Sequence, residues 1–317
     1  MPFPAVVLSA VLLALSWCPA TLAEPAPAQK AVLITGATTG LGRAMAEMMA
    51  AEGHFVYAGA RKDKDMAELN AIQNIQAVRL DVTDQAQIDA AVKTITEAGR
   101  GLYGLINNAG VAALFPLVHT PEEEMTFLMD VNLFGPYRVT RAFAPLIIES
   151  KGRISTTGSI SGIGSGRLYG PYSMSKHAIE AFTDSLALEM EPHGVQVSVI
   201  EPGNYESAIG DNFLERMRQQ GYASEDSPYK EIYNRIEGWA ASDEPDGDPR
   251  EVAKAAMLAM FEDNPKRRYL VVPNQEQAAW TIRKAIEELA QLNQRHAFSY
   301  SRDELVEMLD AALAENP

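Results

Sequence analysis

Cysteine is almost absent from this chain: Cys18 is the only one in 317 residues, so no internal disulfide framework exists. Histidine is scarce too. His54, His119, His177, His193 and His296 are scattered without ligand spacing, so no metal site is expected. Basic charge is the third shortage. Lys and Arg total 27 against 42 Asp and Glu, and a net charge of -15 repels nucleic acid and anionic lipid headgroups. Internal repeats and low-complexity tracts are missing as well. What remains is ordinary globular composition, 47% hydrophobic and 22% charged, enough for one large core. Any chemistry must therefore come from oxygen and nitrogen groups or from a cofactor.

The first thirty residues stand apart. Residues 5–23 are nearly all apolar, and Glu24-Pro25-Ala26-Pro27-Ala28-Gln29-Lys30 reads as a linker. Thr21 and Ala23 suit signal cleavage after Ala23, which would export the protein. Retention of the run would instead anchor it and give membrane contact through residues 5–23, although Pro19 and the marginal length disfavour a stable span. No positive charge precedes the run, so a misassigned start codon and a cytoplasmic chain form a third alternative. All three stay open, and residues 1–30 are set outside the folded domain, 31–317.

That domain begins with Ala31-Val32-Leu33-Ile34-Thr35, a continuous apolar strand, followed by the turn Gly36-Ala37-Thr38-Thr39-Gly40-Leu41-Gly42 and a helix from Arg43 to Glu52. Glycines allow a tight turn, and the helix N-terminus offers N–H groups and a positive dipole end to a pyrophosphate. A second strand, His54 to Ala60, ends in Arg61-Lys62. A carboxylate at this position would take the 2'-hydroxyl of NAD; Arg61 suits the 2'-phosphate of NADP(H) instead, with NAD(H) an admissible second cofactor. The strand Ile75 to Leu80 runs into Asp81-Val82, a helix spans about Asp84 to Ala98, and the strand Leu102 to Asn107 meets Asn108-Ala109-Gly110. Alternating strands and helices predict an α/β fold, a Rossmann-type doubly wound parallel sheet with ligands at the carboxyl ends of its strands.

Farther on, Tyr172-Ser173-Met174-Ser175-Lys176 opens a helical pattern, so Tyr172 and Lys176 lie one turn apart on one face. A positive charge beside a phenol favours the phenolate, so Lys176 is expected to lower the Tyr172 pKa and suit it to acid/base work.

Together T-G-A-T-T-G-L-G at 35, D-V at 81, N-N-A-G at 107, V-N-L-F-G at 131, G-S-I-S-G at 158, Y-S-M-S-K at 172 and E-P-G at 201 resemble the short-chain dehydrogenase/reductase family. The resemblance covers about residues 31–207, and the glycine spacing is similar to its compact oxidoreductase branch. By position it implies that Tyr172 exchanges the proton, Lys176 tunes Tyr172 and holds the nicotinamide ribose, Ser159 bonds the reacting oxygen, and Asn132 supports a water leading to Lys176. Gly36, Thr38, Thr39, Gly40, Leu41, Gly42, Arg61, Asp81, Val82, Asn108, Ala109, Gly110, Tyr172, Lys176, Pro202, Gly203 and Ser207 would hold the cofactor. The text around Tyr172 is similar to the steroid and retinoid members, which implies a small-molecule substrate, an apolar alcohol, ketone or aldehyde.

Three features depart from that pattern. The strand before Ser159, Arg153-Ile154-Ser155-Thr156-Thr157, is unusually hydroxylated for a buried strand. Ser207 stands where the family commonly has threonine. Pro136 falls inside a helix, where it should kink the axis. Residues 204–247 are read as a lid, with Met217, Tyr222, Tyr229, Ile232, Tyr233, Ile236 and Trp239 either covering a substrate or packing as ordinary core. A helix from Pro249, a strand at 268–272 and helices from Gln275 and Ser301 complete the chain as packing or homo-oligomer surface. A non-catalytic nucleotide sensor or scaffold on the same fold is the alternative to the enzyme.

Overall fold

All four residues of strand β1 (Ala31–Ile34) are buried, as a strand covered on both faces requires. The computed structural model describes Met1, residues 29–240 and residues 247–315, so the apolar run at 5–23, Cys18 and the linker to Ala28 lie outside the described residues. After β1 come α1 (Gly40–Ala51), β2 (Phe55–Ala60), α2 (Asp63–Asn70), β3 (Ile75–Arg79), α3 (Gln85–Glu97) and β4 (Gly104–Asn107). The chain continues through α4 (Glu122–Met129), α5 (Gly135–Glu149), β5 (Arg153–Thr157), α6 (Gly170–Met190) and β6 (Gln196–Pro202). Helices α7 (Ile209–Gln219), α8 (Lys230–Ala240) and α9 (Pro249–Phe261), strand β7 (Arg268–Val271), then α10 (Gln275–Leu292) and α11 (Arg302–Glu315) follow.

One seven-stranded sheet, in the order β3-β2-β1-β4-β5-β6-β7, carries all of this, and every pairing is parallel. This is the expected Rossmann-type doubly wound sheet. Met45, Ala46 and Met49 of α1 pack with Val252, Ala256 and Ala259 of α9 against one face. Ile88 and Ile95 of α3, Val139, Phe143 and Ile147 of α5, and Ala187 and Met190 of α6 cover the other. The strand order reverses between β1 and β4, which opens a crevice above their carboxyl ends. Among the described residues no helix is long and apolar enough to cross a membrane.

Pro136 sits where the helical run 122–149 is interrupted. It is the second residue of α5, preceded by a π-turn over Asp130–Phe134. Proline has no N–H for the carbonyl four residues back, so the ladder slips at Asn132, and the wider turn absorbs the lost bond. The hydroxylated strand β5 is central, between β4 and β6. Thr157 Oγ1 donates to Asn108 Oδ1 at 3.2 Å, whereas the Ser155 and Thr156 hydroxyls are buried without partners. At the C-terminus, Ile282, Ile286, Leu289 and Leu292 of α10 leave an apolar row exposed, and no residue of α11 is buried.

Candidate active site

The turn between β1 and α1 closes against the end of β4. Thr35 Oγ1 accepts from the Asn108 and Ala109 N–H groups at 2.9 and 3.0 Å, and Asn108 Nδ2 donates to the Thr35 and Gly36 carbonyls at 3.1 and 3.2 Å. Only glycine fits at two points of this turn. Gly36 has φ +65°, and a Cβ at Gly42 would lie 2.3 Å from the Gly36 oxygen and 2.4 Å from Asn108 Nδ2. Thr39 makes no side-chain cap to α1 and the first turn carries no acid, so its N–H groups and dipole end suit a phosphate. Ser207 lies against Gly40 from the other side, where an added Cβ would come within 3.1 Å of the Ser207 Cβ. A cleft of about 490 Å³ runs between Thr39-Gly40 and Glu206-Ser207-Ala208. These residues fit a dinucleotide: Thr38 and Gly110 belong to the same strand-end loops, Leu41 is in the first turn of α1, and Pro202 closes β6 beside them.

Some expected contacts point inward. Val82 packs on the start of α5, where a Cβ at Gly135 would come within 2.7 Å of its Cγ2. Gly203 backs onto α10, and its added Cβ would strike Gln277 Oε1 at 2.1 Å. Arg61 stands at the end of β2 with its side chain 69% exposed and Nη1 3.6 Å from Asp81 Oδ2. Burial resists ionisation of Asp81, but hydrogen bonds from the Thr83 N–H and hydroxyl, with the Arg61 charge, hold its carboxyl below the ordinary value. Sequence reading missed a second guanidinium here. Arg79, at the end of β3, donates to the Arg61 carbonyl and to Asp63. A basic residue closing the neighbouring strand was the available signal, since β3 runs parallel to β2 in register, with Ala60 opposite Arg79.

Ser159, Tyr172 and Lys176 come together beside this crevice. Ser159 caps the short turn Ile160–Gly162, its Oγ accepting from Ser161 N–H at 3.1 Å. Lys176 is buried, donates to the Thr157 carbonyl at 2.8 Å and lies 5.6 Å from the centre of the Tyr172 ring. Asn132 commits its whole amide. It receives the Val111 N–H at 2.8 Å and donates to the Val111 carbonyl at 2.9 Å and to Ser175 Oγ at 3.1 Å, which in turn donates to the Tyr172 carbonyl.

The expected lowering of the Tyr172 pKa is corrected by its surroundings. Burial pushes the phenol up to about 12, with Ser159 pulling part of the way back and Tyr169 adding to the rise. Burial also brings Lys176 down to about 8, against the opposing charge of Glu180. The two shifts share one cause: a low-polarity site disfavours each charged form, and a lysine so weakened exerts less pull on its neighbour.

Above Tyr172 the lid residues form a cluster of their own. Phe213, Leu214, Met217, Tyr233 and Ile236 are buried with Ala113, Leu114, Phe115 and Leu128, and Tyr169, Tyr172, Tyr222, Tyr229 and Ile232 pack on them. Phe115 is the hub, edge-on to Phe213, Tyr222 and Tyr229 at centroid distances of 5.6, 5.9 and 5.4 Å. The row is thus both packing and the apolar roof beside Tyr172. Residues 241–246 and the Trp239 side chain lie outside the described residues. Arg216 ties the roof down, gripping Glu124 Oε2 at 3.0 Å and the Ala112 carbonyl at 2.6 Å.

A glycine-lined phosphate cradle and a hydroxyl–phenol–amine group at the carboxyl ends of a doubly wound sheet define a nicotinamide-dependent oxidoreductase acting on CH–OH groups. The family model described as short chain dehydrogenase matches residues 30–218, and the chain belongs to that family. It is 34% identical over 265 residues to the mitochondrial D-beta-hydroxybutyrate dehydrogenase of Bos taurus, covering 76% of each chain. It is also 34% identical over 251 residues to the NADPH-dependent 3-dehydrocapnine reductase of Ornithobacterium rhinotracheale, covering 76% of this chain and 87% of that one. Among solved structures, a short chain dehydrogenase/reductase from Burkholderia phymatum in complex with NAD superposes with a TM-score of 0.70 at 25% identity. That match covers 86% of this chain and 98% of the other.

Proposed function

We propose that this protein is an NADP(H)-dependent oxidoreductase that interconverts an apolar alcohol and its ketone or aldehyde, with Tyr172 as the proton donor and acceptor. The observation that carries the reading is the position of Tyr172: its ring packs into the aromatic roof around Phe115 while its phenol meets Ser159 and the Lys176 amine lies 5.6 Å from the ring centre. A substrate whose body is apolar can bury against that roof and present its oxygen to the phenol. When bound, the nicotinamide supplies or takes the hydride. The chain supplies everything else.

In reduction, the substrate oxygen accepts the Tyr172 proton and a bond from Ser159, so the charge that would develop there is met by donors already in place. Burial keeps Tyr172 protonated at neutral pH, the form that donates to a carbonyl oxygen. Lys176, fixed by the Thr157 carbonyl, would hold the nicotinamide ribose, and Asn132 would support a water that leads protons to Lys176. The preference for NADP(H) rests on Arg61 and Arg79 at the ends of β2 and β3, a guanidinium pair suited to a 2'-phosphate.

Fluorescence titration with NADPH and NADH, followed by a panel of apolar ketones and aldehydes, tests the assignment. Tyr172→Phe should cut turnover by about 10³-fold or more while leaving the NADPH Kd within about threefold. NADPH binding without turnover of any carbonyl would move the chain to a non-catalytic nucleotide sensor, and retained turnover in Tyr172→Phe would refute the role of the phenol.

A further inference from the structure

Glu180 lies one turn beyond Lys176 on α6 and Glu201 is the penultimate residue of β6; the two are 9% and 4% exposed. Neither has a part in the chemistry above. Their carboxyls meet in the interior, and Arg268 Nε sits between them, 3.4 Å from Glu180 Oε2 and 3.5 Å from Glu201 Oε1. That guanidinium is drawn off by Asp184 Oδ2 at 2.7 Å. Both Glu180 oxygens and Glu201 Oε1 are buried, and no N–H or hydroxyl donor reaches them in hydrogen-bond geometry. Two ionised carboxylates cannot share such a place with one half-committed arginine. A single proton held between them removes one charge and gives the other carboxylate a donor.

The pair also touches the reacting loop. An added Cβ at Gly158 or Gly162, the residues that flank Ser159, Ile160 and Ser161, would come within 3.0 or 2.9 Å of Glu180 Oε1. At Gly162 it would also come within 3.1 Å of the Lys176 carbonyl. The loop that carries Ser159 is therefore moulded over the Glu180 carboxyl. The charged groups facing the pair are Lys176 and Asp184 from α6 and Arg268 from β7, with Arg267 reaching Asp184 at 4.0 Å; residues 158–162 contribute none.

We propose that Glu180 and Glu201 form a proton-sharing carboxyl pair whose members are positioning residues: they seat the Ser159 loop and set one negative charge beside Lys176. The proposal rests on Ser159 and Lys176 being groups of the reacting site. Burial, with the Glu180 charge beside it, raises the Glu201 carboxyl to about 8, and burial raises Glu180 against the pull of Arg268. Glu180 in turn supports the charge of Lys176 against burial.

Two variants test this in the full chain. Gln at 201 keeps an amide donor for Glu180 but cannot titrate. Because the folded pair binds a proton that the unfolded carboxyls release, its stabilisation is full below about pH 4.5 and is lost as pH rises through about 8. The melting temperature of the wild type should therefore fall relative to Glu201→Gln between pH 5 and pH 8, and parallel curves would overturn the shared proton. This arm needs no turnover, so it stands even if the oxidoreductase reading fails. In the second arm, the limb of the pH–rate profile near 8 should move down in Glu180→Gln, which removes the charge beside Lys176. It should not rise in Glu201→Gln, where Glu180 stays ionised but the second charge that the wild type gains above about pH 8 is missing. A purely structural role would lower rates in both variants and leave that limb where it was, which would overturn the positioning role.

Discussion

Arg216 of α7 and Glu124 of α4 form the bond whose loss should be felt most widely. Glu124 is almost wholly buried, its side chain 2% exposed, while Arg216 keeps 18%. The guanidinium donates to both Glu124 oxygens through Nε and to Oε2 and the Ala112 carbonyl through Nη2. Arg216→Met would strand an unpaired carboxylate in the interior, at a cost of about 3–5 kcal/mol. Glu124→Met should cost less, about 2–3 kcal/mol, because the exposed edge of Arg216 can turn toward water and one carbonyl bond survives. The double variant removes both charges and leaves two apolar chains next to Phe127 and Phe213, whose rings already lie 4.9 and 5.3 Å from the guanidinium. It should recover most of the loss, to within about 1 kcal/mol of the wild type. Urea unfolding of the four proteins completes the cycle, which should give a coupling of about 4 kcal/mol or more. Single variants that each cost under about 1 kcal/mol and add in the double would refute the claim that this pair fastens the roof over Tyr172.

Arg61→Ala should raise the Kd for NADPH about tenfold, the worth of one charge-assisted bond, and leave NADH binding unchanged; an equal loss for both would remove Arg61 as the selector. Gly42→Ala places a Cβ on the Gly36 oxygen and Asn108 Nδ2, so cofactor binding should vanish in calorimetry while the circular dichroism spectrum persists. Lys176 is held down to about 8 by burial, so the folded protein binds fewer protons than the unfolded chain between about pH 8 and 10.5. The stability this site withholds is present above that window and lost as pH falls through 8. Lys176→Met should therefore raise folding stability at pH 7 by an amount on the order of 1–3 kcal/mol while eliminating turnover; a lower melting temperature would contradict the burial argument.

Much of the scaffold was legible because its signals are local. Apolar runs of strand length, helical spacing at Met45, Ala46 and Met49, and the aspartate that caps α3 each act within a few residues, and element limits fell within about three residues of expectation. The signal at Pro136 was also local. A proline within a helix marks an interruption, but that it takes the form of a π-turn over Asp130–Phe134 is not revealed by the identity of residue 136.

Sequence by itself determined the one-turn spacing of Tyr172 and Lys176, the glycine turn before α1 and the basic end of β2, because backbone geometry converts short separations directly into shared faces. Tertiary structure decided how those groups behave. Parallel pairing of β2 and β3 set Arg79 beside Arg61, and the chain's return at Phe115 and Phe213 built the roof over Tyr172. Burial, which no short stretch encodes, moved the Tyr172 phenol up where spacing alone suggested down, and it drove the carboxyls of Glu180 and Glu201 together. Charge in a protein answers to its whole surroundings, and those are supplied by every layer of the fold.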